Sequence, residues 1–223
     1  MKFLGYITES STDIETLQRE CSQYLKLKVE LFRGVADNTI NVRRITPRID
    51  REPRDTNKFT HNYINDLFQK KFGWGVRSEG VFVSSNWHTA HSYVRDNNGM
   101  VYRFFPVNGY KYVWSPKVDD FFLVVRRLFP VYDISKPLPE VAWGNFKLDM
   151  GAVLDILGQS DKIPEIYQFK NPGEISKFVS ELIVGAYKNT GLKEAVESEH
   201  EIAFKCKAYY LQDITRKDAW NYI

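Results

Sequence analysis

The 223-residue chain has only two cysteines, Cys21 and Cys206. They lie far apart and carry no metal-ligand spacing, so neither a disulfide framework nor a cysteine-based metal site is expected. The four histidines, His61, His88, His91 and His200, lack ligand spacing as well, and no metal is expected. No stretch of about 18 apolar residues occurs, which excludes a membrane-spanning helix. Rossmann and P-loop glycine patterns are absent, and so is a Gly-x-Ser-x-Gly elbow. The apolar run near Met1 is too short for a secretion signal, so a reducing cytoplasm is the expected location. Net charge is only +3, which permits contact with phosphates or nucleic acid without requiring it.

What is present is the composition of a soluble globular protein, with 43% hydrophobic and 26% charged residues. That supports one large domain or two small ones. Aromatic residues reach 15%, enough for a Phe- and Tyr-rich core and also for a pocket that stacks on flat rings. Periodicity predicts a helix over 14–25, a strand over 29–35 and loop over 36–55. A helix follows, capped by Asp55 or Thr56 and stopped at Gly73. A strand over 81–84 and a short helix over 87–95 come next. A hairpin is expected across Asn108-Gly109, and a helix started by Ser115-Pro116. Residues 130–147 read as irregular, with helices near 149–157 and 173–187 and a last strand over 201–211. Helices and strands mix without regular βαβ alternation, so the expected class is α+β.

Three segments carry candidate chemistry. In Leu31-Phe32-Arg33-Gly34-Val35, Arg33 offers a planar fork of donors beside a glycine that leaves the backbone open. Taken alone, Arg33 reads better as a solvent-facing residue at a strand end. In Gly80-Val81-Phe82-Val83-Ser84-Ser85-Asn86, a strand ends in three small polar groups, and Ala90 and Tyr93 follow at helical spacing. These can hold a ribose hydroxyl or a carboxylate and lay a ring on a flat ligand; they also suit a helix cap with Tyr93 in the core. Glu197, Glu199 and Glu201 are two apart and would share one side of an extended chain. Two such carboxylates can divide cation stabilisation from proton abstraction, while a solvated acidic turn would use the same residues. Arg43, Arg44, Arg48, Arg51 and Arg54 form a basic run that suits pyrophosphate, nucleic acid or an acidic partner, and equally a solvated loop offset by Asp50, Glu52 and Asp55.

In this order the three segments resemble the ADP-ribosyltransferase superfamily. That family has a strand bearing Arg or His, a strand with Ser-Thr-Ser or Tyr, and a strand beginning at a catalytic Glu. Glu199-His200-Glu201 resembles the Glu-x-Glu motif of the arginine-modifying branch. The run from Gly80 through Tyr93 to Asp96-Asn97 is similar to the diphtheria-like branch. Ser84-Ser85-Asn86 is not the full Ser-Thr-Ser, Phe82 stands where the diphtheria-like branch has Tyr, and Arg33 stands where that branch has His.

The resemblance implies a single domain over 1–223, a split β-sandwich core flanked by helices, and NAD bound as substrate between the sheets. Residues 130–190 would be an insertion specific to target recognition. Arg33 and Gly34 would hold NAD, with Ser84 and Ser85 beside it and Phe82 and Tyr93 walling the nicotinamide. Ser84 would orient Glu201, Glu201 would steady the cation-like ribose, and Glu199 would take a proton from the acceptor. The favoured acceptor is an arginine of a protein. Nucleic acid, reached through the basic run, and water are the alternatives, and a non-enzymatic or virion-associated module with a degenerate site is a third reading. The chain is also similar to short bacteriophage members that modify host proteins, which would place it in the host cytoplasm.

Overall fold

Among the described residues, seven short strands form two antiparallel sheets, and helices pack against both. The structure, a computed structural model, describes residues 11–36, 42–51, 58–94, 99–121, 124 and 140–213. One sheet contains β1 (Phe32–Val35), β4 (Met100–Pro106), β7 (Tyr209–Asp213) and β2 (Arg43–Ile45), in the order β1-β4-β7-β2. The other contains β3 (Val81–Val83), β6 (Ile202–Lys205) and β5 (Lys111–Trp114), in the order β3-β6-β5. Every pairing is antiparallel, and the expected α+β class holds.

The expected hairpin at Asn108-Gly109 does not form. β4 and β5 flank that dipeptide but belong to different sheets, and the expected strand over 201–211 is likewise divided into β6 and β7. β4 pairs with β7 and β5 with β6, so two neighbouring strands turn the same corner together, joined there by Val107 N–H to Ala208 O at 3.1 Å. The reason is tertiary. Helices α1 (Ser11–Glu20) and α2 (Ser22–Leu25) hold Asn108, whose N–H donates to Glu20 O (2.7 Å) and whose Oδ1 accepts from Gln23 N–H (2.8 Å). Gly109 takes the left-handed conformation the corner needs, at φ +83°.

Two apolar cores result. Between the sheets lie Val81, Val83, Tyr102, Phe104, Ile202, Phe204 and Leu211, with Leu17, Cys21 and Tyr24 of the first two helices packed on them. The second core lies between Val113 and Ala203 of the smaller sheet and α3 (Lys58–Phe72), α6 (Glu140–Ile156) and α8 (Pro172–Gly185), from which Phe68, Phe146, Met150, Val179 and Ile183 project. The helices within 130–190 are thus part of this core. Asn171 caps α8 by accepting from Glu174 N–H at 3.0 Å, and Gly73 ends α3 at φ +76°.

Several boundaries differ from the expectations. The helix over 14–25 breaks at Cys21, and β2 occupies part of the expected loop over 36–55. α6 begins at Glu140, inside the stretch read as irregular. Ser115 accepts from the N–H groups of Lys117 and Val118, as a cap would, yet the chain stays bent to Asp120. The expected cap at Asp55 or Thr56 lies outside the described residues, as do residues 96–98 of a turn expected over Asp96-Asn97-Asn98-Gly99. Short helices α4 (Val76–Glu79), α5 (Trp87–Ser92), α7 (Ile163–Ile166) and α9 (Leu192–Glu197) lie between these elements.

Candidate functional site

Among the described residues, one isolated β-bridge joins the edges of the two sheets. Phe32 N–H donates to Ser84 O at 2.7 Å, and Ser84 N–H donates to Phe32 O at 3.0 Å. On one side of this bridge β1 joins β4, and on the other β3 joins β6. β3 is therefore an edge strand, and alternate residues point their carbonyls to its open edge. Guanidinium groups satisfy those carbonyls. Arg51 Nη1 donates to Gly80 O at 2.8 Å, and Arg33 Nη1 donates to Phe82 O at 2.7 Å.

Arg33 is placed by β1 and by the close approach of α5. A β-carbon on Gly34 would lie 2.1 Å from the Ala90 carbonyl oxygen, so only glycine fits there. The Arg33 guanidinium lies over the Tyr209 ring at 5.9 Å, and its Nε is buried without a partner. The Phe82 ring is flanked by Arg51 at 5.9 Å and by Arg77 of α4 at 5.7 Å; Arg77 also lies 4.9 Å from the Phe121 ring. Burial lowers the pKa of Arg51, and repulsion from Arg33 and Arg77 lowers it further. An arginine cannot shed its proton, so a cluster of this kind attracts anions.

The acidic side of the site is built at the head of β6. The β3–β6 register pairs Val83 with Ile202, so the next step sets Ser84 opposite Glu201. Glu201 is buried, and its N–H donates to Asp119 O at 2.8 Å. Tyr93, just past α5, donates its hydroxyl to Asp120 Oδ2 at 2.8 Å and lies 3.3 Å from Glu201 Oε2. Burial pushes the Glu201 carboxyl up to about 7, and Asp120 adds to the rise; Arg77, the Phe121 N–H and the Tyr93 hydroxyl oppose it. Burial between the two carboxylates drives the Tyr93 phenol well above its ordinary range.

The remaining predicted residues sit around this centre with altered roles. Glu197, Glu199 and Glu201 do not form one extended row. Glu197 ends α9, and Glu199 takes a left-handed turn at φ +59° before β6 begins. Glu199 is exposed, and its Oε2 accepts from Asn86 Nδ2 at 2.6 Å. Ser84 Oγ reaches the Glu199 carbonyl at 3.1 Å rather than the Glu201 carboxylate. That correction follows from the turn, which brings the Glu199 backbone over the end of β3. Ser85 Oγ donates to Val196 O at 2.5 Å, and Asn86 caps α5 by accepting from Thr89 N–H at 3.2 Å.

The basic run divides. Arg44 pairs with Glu20 at 3.0 Å, Arg48 with Asp50 at 3.4 Å, and Arg43 lies over the Tyr102 ring at 5.5 Å. Arg51 alone of the described members joins the cluster at Phe82, and Arg54 lies outside the described residues. The chain matches no protein-family model, no curated protein and no solved structure. Among the described residues, no group of three or more His, Cys, Asp or Glu could hold a metal ion, and no helix is long and apolar enough to cross a membrane.

Sequence reasoning missed Arg77 and Asp120. Arg77 lies in a one-turn helix too short to show periodicity. Asp120 was hidden inside an expected helix that starts only after it: Phe121 and Val124 are helical, and Val124 N–H donates to Asp120 O at 3.3 Å.

Proposed function

We propose that the chain is an NAD-dependent mono-ADP-ribosyltransferase acting on a protein side chain, with arginine favoured, and that its two sheets are the split β-sandwich of that superfamily. The observation that carries this reading is the double role of β3. Its open edge binds Arg33 and Arg51, while its end holds Glu199 and faces Glu201. One strand therefore joins a cationic edge suited to a pyrophosphate with a carboxylate centre suited to a cation-like sugar. The buried, unpartnered Nε of Arg33 fits an anionic ligand.

NAD supplies the ADP-ribosyl group, with neutral nicotinamide as the leaving group. Arg33 and Arg51 hold the pyrophosphate by charge-assisted hydrogen bonds, and Phe82 and Tyr93 border the nicotinamide. Glu201 as carboxylate stabilises the positive charge at the ribose carbon when its bond to nicotinamide breaks. Glu199, held by Asn86, accepts the proton released when the acceptor nitrogen forms the new bond to that carbon. The exposure of the Glu199 carboxylate favours a second reading, in which water is the acceptor and the products are ADP-ribose and nicotinamide.

The test is Glu201→Gln. The variant keeps the shape of the side chain but cannot carry charge, so it folds and does not release nicotinamide. Near-normal turnover by a folded Glu201→Gln protein would sink the assignment.

A further inference from the structure

Charge at the head of β6 does not balance on Glu201 alone. Among the described residues, the titratable and charged groups facing the Glu201 carboxyl are Arg77 on α4, Tyr93 after α5, Asp120 after β5 and Tyr187 after α8, while Asp119 meets Glu201 through its main-chain carbonyl. Arg77 is the cation among them, and its field falls on both Glu201 and Asp120. One guanidinium against one carboxylate leaves no net charge for a cation-like sugar. Asp120 supplies the second carboxylate, and the single Tyr93 hydroxyl lies between the two, 2.8 Å from Asp120 Oδ2 and 3.3 Å from Glu201 Oε2.

We propose that Asp120, joined to Glu201 through the Tyr93 hydroxyl, is a second acidic member of this site and gives it its net negative charge. Resting on the ADP-ribosyl-transfer reading, this makes Asp120 a positioning residue, acting through Tyr93 and Glu201 rather than on the substrate. Because Tyr93 donates one proton to two acceptors, Asp120 also sets how much of that hydrogen bond Glu201 receives.

The two variants that test it have opposite signs. Asp120→Asn removes a like charge from beside Glu201, so the Glu201 midpoint falls from about 7, and the drop is about one pH unit. Tyr93→Phe removes a donor to the charged form, so the midpoint rises. Both are read by carbon NMR of labelled glutamate carboxyls on the full chain, with Glu201→Gln identifying the resonance. General loosening of the fold would move both variants the same way, toward the ordinary carboxylate range. An unmoved or raised midpoint in Asp120→Asn would overturn the proposal. Kinetics add a second arm: at a pH well above 7, where Glu201 is ionised in both proteins, Asp120→Asn lowers kcat for nicotinamide release and leaves KM for NAD unchanged. If the unaltered protein releases no nicotinamide while the opposite midpoint shifts persist, the transfer reading fails and the carboxylate pair stands.

Discussion

Folding and charge pull against each other at Glu201. A buried carboxylate prefers its proton, so the folded protein holds that proton up to about pH 7 while the unfolded chain releases it near 4.5. Between those values the folded state binds more protons than the unfolded one. This residue's contribution to stability is therefore fully present below the unfolded value and is lost as pH rises through the folded one. Glu201→Gln has no charge to bury. Its unfolding free energy from urea titration should match that of the unaltered protein near pH 4 and exceed it at pH 8, by an amount on the order of a few kcal/mol. Equal stability at both pH values would contradict burial of an ionised Glu201. The same carboxylate must be charged to steady a cation, so nicotinamide release should rise with pH through about 7 and then level off. A rate flat from pH 5 to 8 would speak against that role.

At the scale of elements, the site depends on α5 lying tight against β1. Gly34 permits this, because any β-carbon there meets the Ala90 carbonyl, which is backbone and cannot swing aside. Gly34→Val should cost about 1–3 kcal/mol, the range for overpacking, and should separate Tyr93 from Glu201. Unchanged thermal stability of Gly34→Val would refute that packing. The strand around Arg33 was legible in sequence because Leu31, Phe32 and Val35 are apolar residues that suit a strand. The strand Val81–Val83, the stop at Gly73 and α8 were legible for similar local reasons. The corner at Asn108-Gly109 was not, because its local signal is that of a hairpin and only the hydrogen bonds from α1 and α2 turn the chain elsewhere. Glu199 was misread for a related reason: a period of two predicts a row only if the chain stays extended, and α9 runs to Glu197. Asp120 had no local signal, since its meaning comes from Tyr93, 27 positions earlier in the chain.

Across the whole molecule, the sheets meet at Phe32 and Ser84 and then follow different partners, so charged groups can gather at an edge that a continuous sheet would have closed with main-chain hydrogen bonds. Arg33 and Arg51 donate to the edge carbonyls where a neighbour strand would, and the helical core packs behind Phe82 and Ala203. The arrangement accounts for a cationic edge along one short strand and an acidic centre at its end, with Arg77 facing both. The most direct measurement is nicotinamide release from NAD alone by the purified protein, with folded Glu201→Gln in parallel. The account predicts release by the unaltered protein and none by the variant. Absence of both NAD binding and release in the unaltered protein, or equal release by the variant, would contradict it.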